Sequence, residues 1–167
     1  PIRAWLEEHG RGDEFYQVSR DIDTAFTECE CEFVSEAVPF PGSAECLPVL
    51  RSMGYRVGIL TRGSLEYAAR ALGPLFDEFD VVMGRDHSEY DNAKPSPRAM
   101  VEFAEELGVE PSEILYVGDN STDWMSAHGA GARFVGVRTG SGSDDLWASV
   151  DPSIPVIDRT GDVVRLL

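Results

Sequence analysis

Apolar residues recur along this chain in two rhythms, and the change between them falls near residue 38. In the first part Phe15, Val18, Ile22 and Phe26 recur at spacings of three and four, which is one face of a helix. Ile2, Trp5 and Leu6 form a shorter amphipathic turn ahead of it, ended by Gly10 and Gly12, and Phe33, Val34 and Val38 extend the longer face. Pro39-Phe40-Pro41-Gly42 then breaks the pattern and marks a module boundary. Beyond it, short apolar runs alternate with amphipathic stretches. The runs Tyr55–Leu60, Phe79–Met83, Ile114–Val117, Arg133–Val137 and Ile154–Ile157 read as strands. A helix is predicted from Ser43 to Met53, although Pro48 is tolerated only near its start. A second runs from Leu65 to Leu72, with Ser64 as N-cap and Gly73 as its stop. A third has Ser96 as N-cap and Pro97 at its first position, carries the stripe Met100, Phe103, Ala104 and Leu107, and ends at Gly108. A fourth reaches about His128. Ser141 to Ala148 reads as a polar loop with one helical turn, and Asp162 to Leu167 as a terminal turn.

Alternation of strand and helix from residue 55 to 137 implies right-handed crossovers, hence a parallel sheet with helices on both faces. The expected fold is α/β, a Rossmann-like three-layer sandwich spanning residues 39–167, with residues 1–38 as a separate helical segment. In such a sheet all carboxyl ends of the strands lie on one rim, where ligands bind. Thr61, Lys94, Asp119 and Asp123 all fall at or after predicted strand ends.

Composition narrows the partners. At 167 residues the chain is long enough to bury a core without disulfides or structural metal. Its net charge of −16 argues against nucleic acid and anionic membranes as partners. Thirteen of the 14 basic residues are arginine, and Lys94 is the one lysine. Such an acidic, lysine-poor composition fits a GC-rich genome or a salty environment more simply than an acidic docking face. Cys29, Cys31 and Cys46 have no metal spacing, so a reduced, cytoplasmic setting is expected. Oligomeric state stays open.

Candidate chemistry gathers in three loops. The segment Val117-Gly118-Asp119-Asn120-Ser121-Thr122-Asp123 puts two carboxylates four residues apart at a strand's carboxyl end. Oxygen ligands there suit a hard cation such as Mg²⁺, although acids also cap helices in this position. Thr61, with the backbone N–H groups of Arg62, Gly63 and Ser64, makes an anion cradle at a helix N-terminus; the plainer reading is an ordinary strand-to-helix turn. Lys94 lies between Ala93 and Pro95-Ser96-Pro97. As a compact charge it could neutralise both a carboxylate nucleophile and a phosphoryl oxygen, or it is simply a surface lysine. His128 reads as a packing or capping residue, and His9 and His87 have no identified partners.

Taken together, Pro41-Gly42, Gly54-Tyr-Arg-Val-Gly-Ile-Leu-Thr-Arg-Gly63, Ala93-Lys-Pro-Ser-Pro97, Tyr116-Val-Gly-Asp-Asn-Ser-Thr-Asp123 and Gly129-Ala-Gly-Ala132 resemble the haloacid dehalogenase-like superfamily. The phosphoglycolate phosphatase-like branch is the most similar. The resemblance implies a Mg²⁺-dependent phosphatase acting on a small phosphorylated metabolite. It implies that Thr61, Arg62, Gly63 and Lys94 bind the phosphoryl group, with Lys94 also contacting the nucleophile. It further implies that Asp119 ligates Mg²⁺ and Asp123 ligates or orients it, so Thr61, Lys94 and Asp119 are the catalytic candidates. A dehalogenase fits less well, because those relatives use no metal.

The family's first motif, Asp-x-Asp-x-Thr after an apolar strand, supplies the nucleophile and is not found. Asp21-Ile22-Asp23-Thr24 comes nearest, with Asp21 as nucleophile, but Thr24 is one position early and the segment has helical period. Asp158-Arg159-Thr160 is a weaker candidate with the wrong spacing. The resemblance places the nucleophile strand mid-sheet, between the strands that precede Thr61 and Asp119, so its absence leaves two interior edges unpaired. Residues 1–38 are then expected to be the later helices of an inserted helical cap, the nucleophile strand lying before Pro1. The expected reaction is phosphate-monoester hydrolysis through an aspartyl-phosphate. The rivals are a non-catalytic module that binds phosphate or a partner protein, and an interaction module using its acidic face. On this reading the 167-residue chain hydrolyses p-nitrophenyl phosphate with Mg²⁺ negligibly. Robust turnover abolished by Asp21→Asn would restore Asp21 as nucleophile.

Overall fold

Local signals set most helix boundaries. A computed structural model describes residues 2–87 and 89–167. Two helices, α1 (Ile2–Glu8) and α2 (Phe15–Glu32), precede α3 (Leu47–Ser52). The helix predicted over 43–53 is shortened at its start, where Pro48 occupies the first turn and cannot donate a backbone bond. Strand β1 (Gly58–Leu60) leads into α4 (Leu65–Leu72), whose N-cap Ser64 accepts from the Tyr67 N–H at 3.1 Å. Strand β2 (Val81–Met83) precedes α5 (Pro97–Leu107), which is capped by Ser96 and closed by left-handed Gly108. Strand β3 (Leu115–Gly118) is followed by α6 (Ser121–Ala130) and β4 (Arg133–Val137). Helix α7 (Asp144–Val150) is longer than the single turn expected from the sequence, because Ser143 caps it and Trp147 anchors it in the core. The short strand β5 (Val156–Ile157) and a 3-10 turn end the fold.

Both faces of the strands are covered. On one side Met100, Phe103, Ala104 and Leu107 of α5 pack with Leu60, Met83, Ile114 and Ala127 of α6. On the other, Cys46 and Leu50 pack with Val135, Val137, Ile157 and Val163. Phe134, next to Val135 in β4, faces the first cluster while Val135 and Val137 face the second, as strand alternation requires.

The strands do not form one sheet. Strands β1 and β2 pair in parallel, and β3, β4 and β5 pair in parallel in that order; among the described residues nothing pairs β1 with β3. Backbone direction identifies the edges left over. Thr61 donates to Met83 O and Asp80 donates to Val57 O, so residues 57, 59 and 61 face β2 and Gly58 and Leu60 face away. Arg133 donates to Ile114 O, so Leu115 and Val117 are the β3 residues turned away from β4. The two edges border an apolar cleft of about 640 Å³ whose lining includes Gly58, Leu60, Leu115, Val117, Phe103 and Leu107. The cleft separates the two-stranded from the three-stranded sheet. Helix α5, which packs on β1, β2 and α6, spans the two halves.

Helix α2 packs on α4, and charge ties it to the loop after β2. Arg85, just past β2, bonds Asp23 (2.5 Å), Thr27 (2.9 Å) and Glu30 (2.7 Å), which lie along one side of α2. Tyr16, Phe26 and Phe33 of the same segment are exposed. No helix among the described residues is long and apolar enough to cross a membrane. A Cβ on Gly136 would overlap the Trp147 ring. Gly136→Ala is therefore expected to cost about 1–3 kcal/mol through overpacking, read as a lower urea midpoint; an unchanged midpoint would show that α7 yields freely.

Candidate active site

The carboxyl ends of β1 and β3 meet at Lys94. Its Nζ donates to Leu60 O (2.8 Å), to Tyr116 Oη (2.7 Å) and to Asp123 Oδ1 (2.6 Å). An ammonium has three protons, and here three acceptors take them. The side chains of Lys94 and Asp123 are 6% and 7% exposed, so this is a buried ion pair rather than a surface lysine. Burial pushes the Lys94 pKa below its ordinary value, and the Asp123 charge opposes that shift. Burial, reinforced by Asp123, pushes the Tyr116 phenol well above its ordinary value, which keeps it a neutral hydroxyl. Tyr116 Oη donates onward to Leu60 O at 2.8 Å, bridging the two half-sheets at the rim.

Asp123 has no oxygen to spare. Oδ1 takes Lys94, and Oδ2 accepts the N–H groups of Asp119 (3.1 Å) and Asn120 (3.0 Å). Asn120 Oδ1 in turn accepts the Thr122 N–H at 3.0 Å, completing a capping box at the start of α6. Gly118 is required beside it, because a Cβ there would overlap the Asp123 carboxylate. Asp119 is held differently. Its Oδ2 accepts the Ser141 N–H (2.8 Å) and lies 3.0 Å from Ser141 Oγ, while Oδ1 has no protein donor among the described residues. Of the two carboxylates predicted to meet a cation, Asp119 thus has an oxygen suited to a hard metal. Asp123 fits the orienting role. Among the described residues no three His, Cys, Asp or Glu side chains converge as a metal cluster.

The predicted anion cradle is narrower than its sequence suggests. Thr61 Oγ1 accepts the Gly63 N–H at 3.0 Å. The Ser64 N–H and Oγ both go to Glu30 of α2, at 3.2 and 3.3 Å, and Asp86 Oδ1 accepts the Leu65 N–H at 2.9 Å. Of the three N–H groups expected to cradle an anion, only that of Arg62 has no protein acceptor among the described residues. Asp21 follows no strand. It lies exposed in α2 and accepts from Gln17 at 2.7 Å. Asp158 pairs with Arg138 at the surface. His128 stacks on Trp124, which fits its reading as a packing residue. The sequence pattern does not single out Tyr116, Ser141 or Glu30 as site residues. Tyr116 hides in an apolar strand and Glu30 on a polar helix, and only the glycine-rich run Gly140-Ser141-Gly142 hints at a tight approach near Asp119.

A parallel α/β domain that gathers a lysine, an acidic loop and a hydroxyl-bearing turn at the carboxyl rim is a Rossmann-like fold, and that rim is where such folds bind ligands. The sequence model described as haloacid dehalogenase-like hydrolase matches residues 2–131, and the chain belongs to that family. It is 31% identical over 130 residues to the phosphoglycolate phosphatase of Salmonella typhi, covering 77% of this chain and 50% of that protein. It is 30% identical over 129 residues to that of Escherichia coli K12, covering 71% and 50%. The crystal structure of a HAD phosphatase from Thermococcus onnurineus superposes with a TM-score of 0.63 at 31% identity, over 76% of this chain and 57% of that one. The chain therefore spans about half the length of the curated relatives it matches.

Lys94→Met leaves Asp123 buried without its counter-charge. A loss of about 3–5 kcal/mol in unfolding free energy is expected, measured by urea denaturation. A loss below about 1 kcal/mol would mean that the pair does not hold the rim together.

Proposed function

We propose that this chain provides most of the core of a Mg²⁺-dependent phosphomonoesterase that acts on a small phosphorylated metabolite through an aspartyl-phosphate. The nucleophilic carboxylate would be one not found among these 167 residues, carried by a strand that fills the cleft between β1 and β3. The observation that carries this reading is the position of Lys94, a buried ammonium at the rim where the two unpaired edges end. Its protons are all engaged, one of them with Leu60 O, on the residue of β1 that faces the cleft. A strand pairing with β1 would offer its own N–H to Leu60 O. That exchange would turn a Lys94 proton toward the incoming carboxylate and the phosphoryl oxygens, lowering the repulsion between them.

Thr61, Arg62 and Gly63 would hold the phosphoryl group, with the Arg62 N–H as the donor already available. Asp119 Oδ1 would face Mg²⁺, while Asp123 orients the loop through the Asp119 and Asn120 N–H groups. Bound Mg²⁺ supplies charge neutralisation at the phosphoryl group. Residues 1–38 are best read as part of a helical cap, whose exposed Tyr16, Phe26 and Phe33 would meet its remaining helices. The relatives named as phosphoglycolate phosphatases support a phosphorylated small molecule as substrate.

The test is complementation. The chain is mixed with a synthetic peptide of five alternating valines and isoleucines followed by Asp-x-Asp-x-Thr. Mg²⁺-dependent hydrolysis of p-nitrophenyl phosphate is expected only in the mixture. It should disappear when the first peptide Asp is Asn, and fall at least 100-fold in Lys94→Ala and Asp119→Asn, on the order expected when a group stabilising transition-state charge is lost. Peptide binding and Mg²⁺ binding with no turnover would favour a phosphate-binding module instead.

A further inference from the structure

The backbone donors around Asp119 are spent elsewhere. Its own N–H and that of Asn120 go to Asp123, so no donor from the acidic loop holds the Asp119 carboxylate. The groups that do hold it come from the turn after β4, 22 residues away. The Ser141 N–H reaches Oδ2 at 2.8 Å. Ser141 Oγ lies 3.0 Å from the same oxygen and 3.0 Å from Asp119 O, and it accepts from Asn120 Nδ2 at 3.2 Å. The hydroxyl has a single proton and gives it to one of the two Asp119 oxygens. The backbone N–H serves Oδ2 in either case.

Gly140 completes the cup. Its φ of +68° lies in the left-handed region, and a Cβ there would overlap Asp119 Oδ2 and crowd its Cγ. The turn is closed by the Gly142 N–H on Thr139 O at 3.3 Å, and Gly142 itself has no room for a side chain against Val137 O. A purely architectural tie is not needed here. Strands β3 and β4 are already in register from Leu115↔Arg133 to Gly118↔Gly136, and the ladder joins them without help from this turn. What the turn adds is a pinned Oδ2, with Oδ1 left without a protein donor among the described residues.

We infer that the Gly140–Ser141 turn presents Asp119 to a hard divalent cation, with Ser141 as a positioning residue that fixes the carboxylate while Oδ1 stays open. The inference rests on the reading of Asp119 as a metal ligand and adds the residues that orient it. A carboxylate locked before the cation arrives loses little rotational freedom on binding, and an unheld one loses more. Partners of this kind, one bond removed from a metal, typically change its affinity by about 10–100-fold.

Mn²⁺ binding to the whole chain, followed by water-proton relaxation with Mg²⁺ as competitor, tests this without requiring turnover. Ser141→Ala is expected to weaken Mn²⁺ about tenfold with an unchanged urea midpoint, and Ser141→Thr, which keeps the hydroxyl, to stay within about threefold of wild type. Gly140→Ala, which intrudes on Oδ2, should weaken binding at least as much as Ser141→Ala. Asp119→Asn should abolish it. If Asp119→Asn abolishes binding while Ser141→Ala and Gly140→Ala bind like wild type, the positioning role is overturned and the ligand reading stands. If Asp119→Asn binds like wild type, or wild type binds no Mn²⁺, the ligand reading falls and the inference falls with it.

Discussion

The Lys94–Asp123 ion pair is the contact on which the rim of this domain depends. It joins the loop before α5 to the start of α6, and through Leu60 and Tyr116 it reaches the ends of β1 and β3. Two charges this deeply buried are tolerable only if their remaining hydrogen-bonding positions are filled, and here they are. Lysine suits the position better than arginine. Three acceptors from three different elements converge on a point, which matches a compact ammonium and not a planar fork. In a chain where every other basic side chain is arginine, the chemistry of this one position accounts for the exception.

The pair also compensates for a sheet in two parts. A free strand edge inside a domain leaves backbone donors and acceptors without ladder partners. At the rim, Lys94 and Tyr116 satisfy the Leu60 carbonyl from the side. Deeper in the cleft the walls are apolar, and α5 holds the halves in place by packing Phe103 closely against Gly58. The same bonds that stabilise the split sheet therefore occupy the lysine that the proposed chemistry would use. On the proposed reading, filling the cleft and freeing that lysine would be one event.

Charge organises the other side of the rim as well. Carboxylates from α2 and from the loop after β2 settle on the first N–H groups of α4, where the helix dipole favours them. Arg85 offsets Glu30 and Asp23 and ties the N-terminal helices to the loop that carries Thr61. Acidic excess in this protein is thus partly structural, absorbed by helix starts and arginines.

Features that lie within a turn or two of chain were legible in the residues alone. Ser64 and Ser96 capping their helices, Gly108 ending α5, the apolar stripe of that helix and the placement of Thr61, Lys94, Asp119 and Asp123 after strands all follow from local spacing. What tertiary structure alone decided is which polar groups meet across distance. Tyr116 bonds a carbonyl 56 residues away, Ser64 bonds a carboxylate 34 residues away, and Ser141 holds an aspartate 22 residues away. Periodicity records which face a residue occupies. The partner of a buried donor depends on the packing of whole elements, and no local pattern in the chain encodes it.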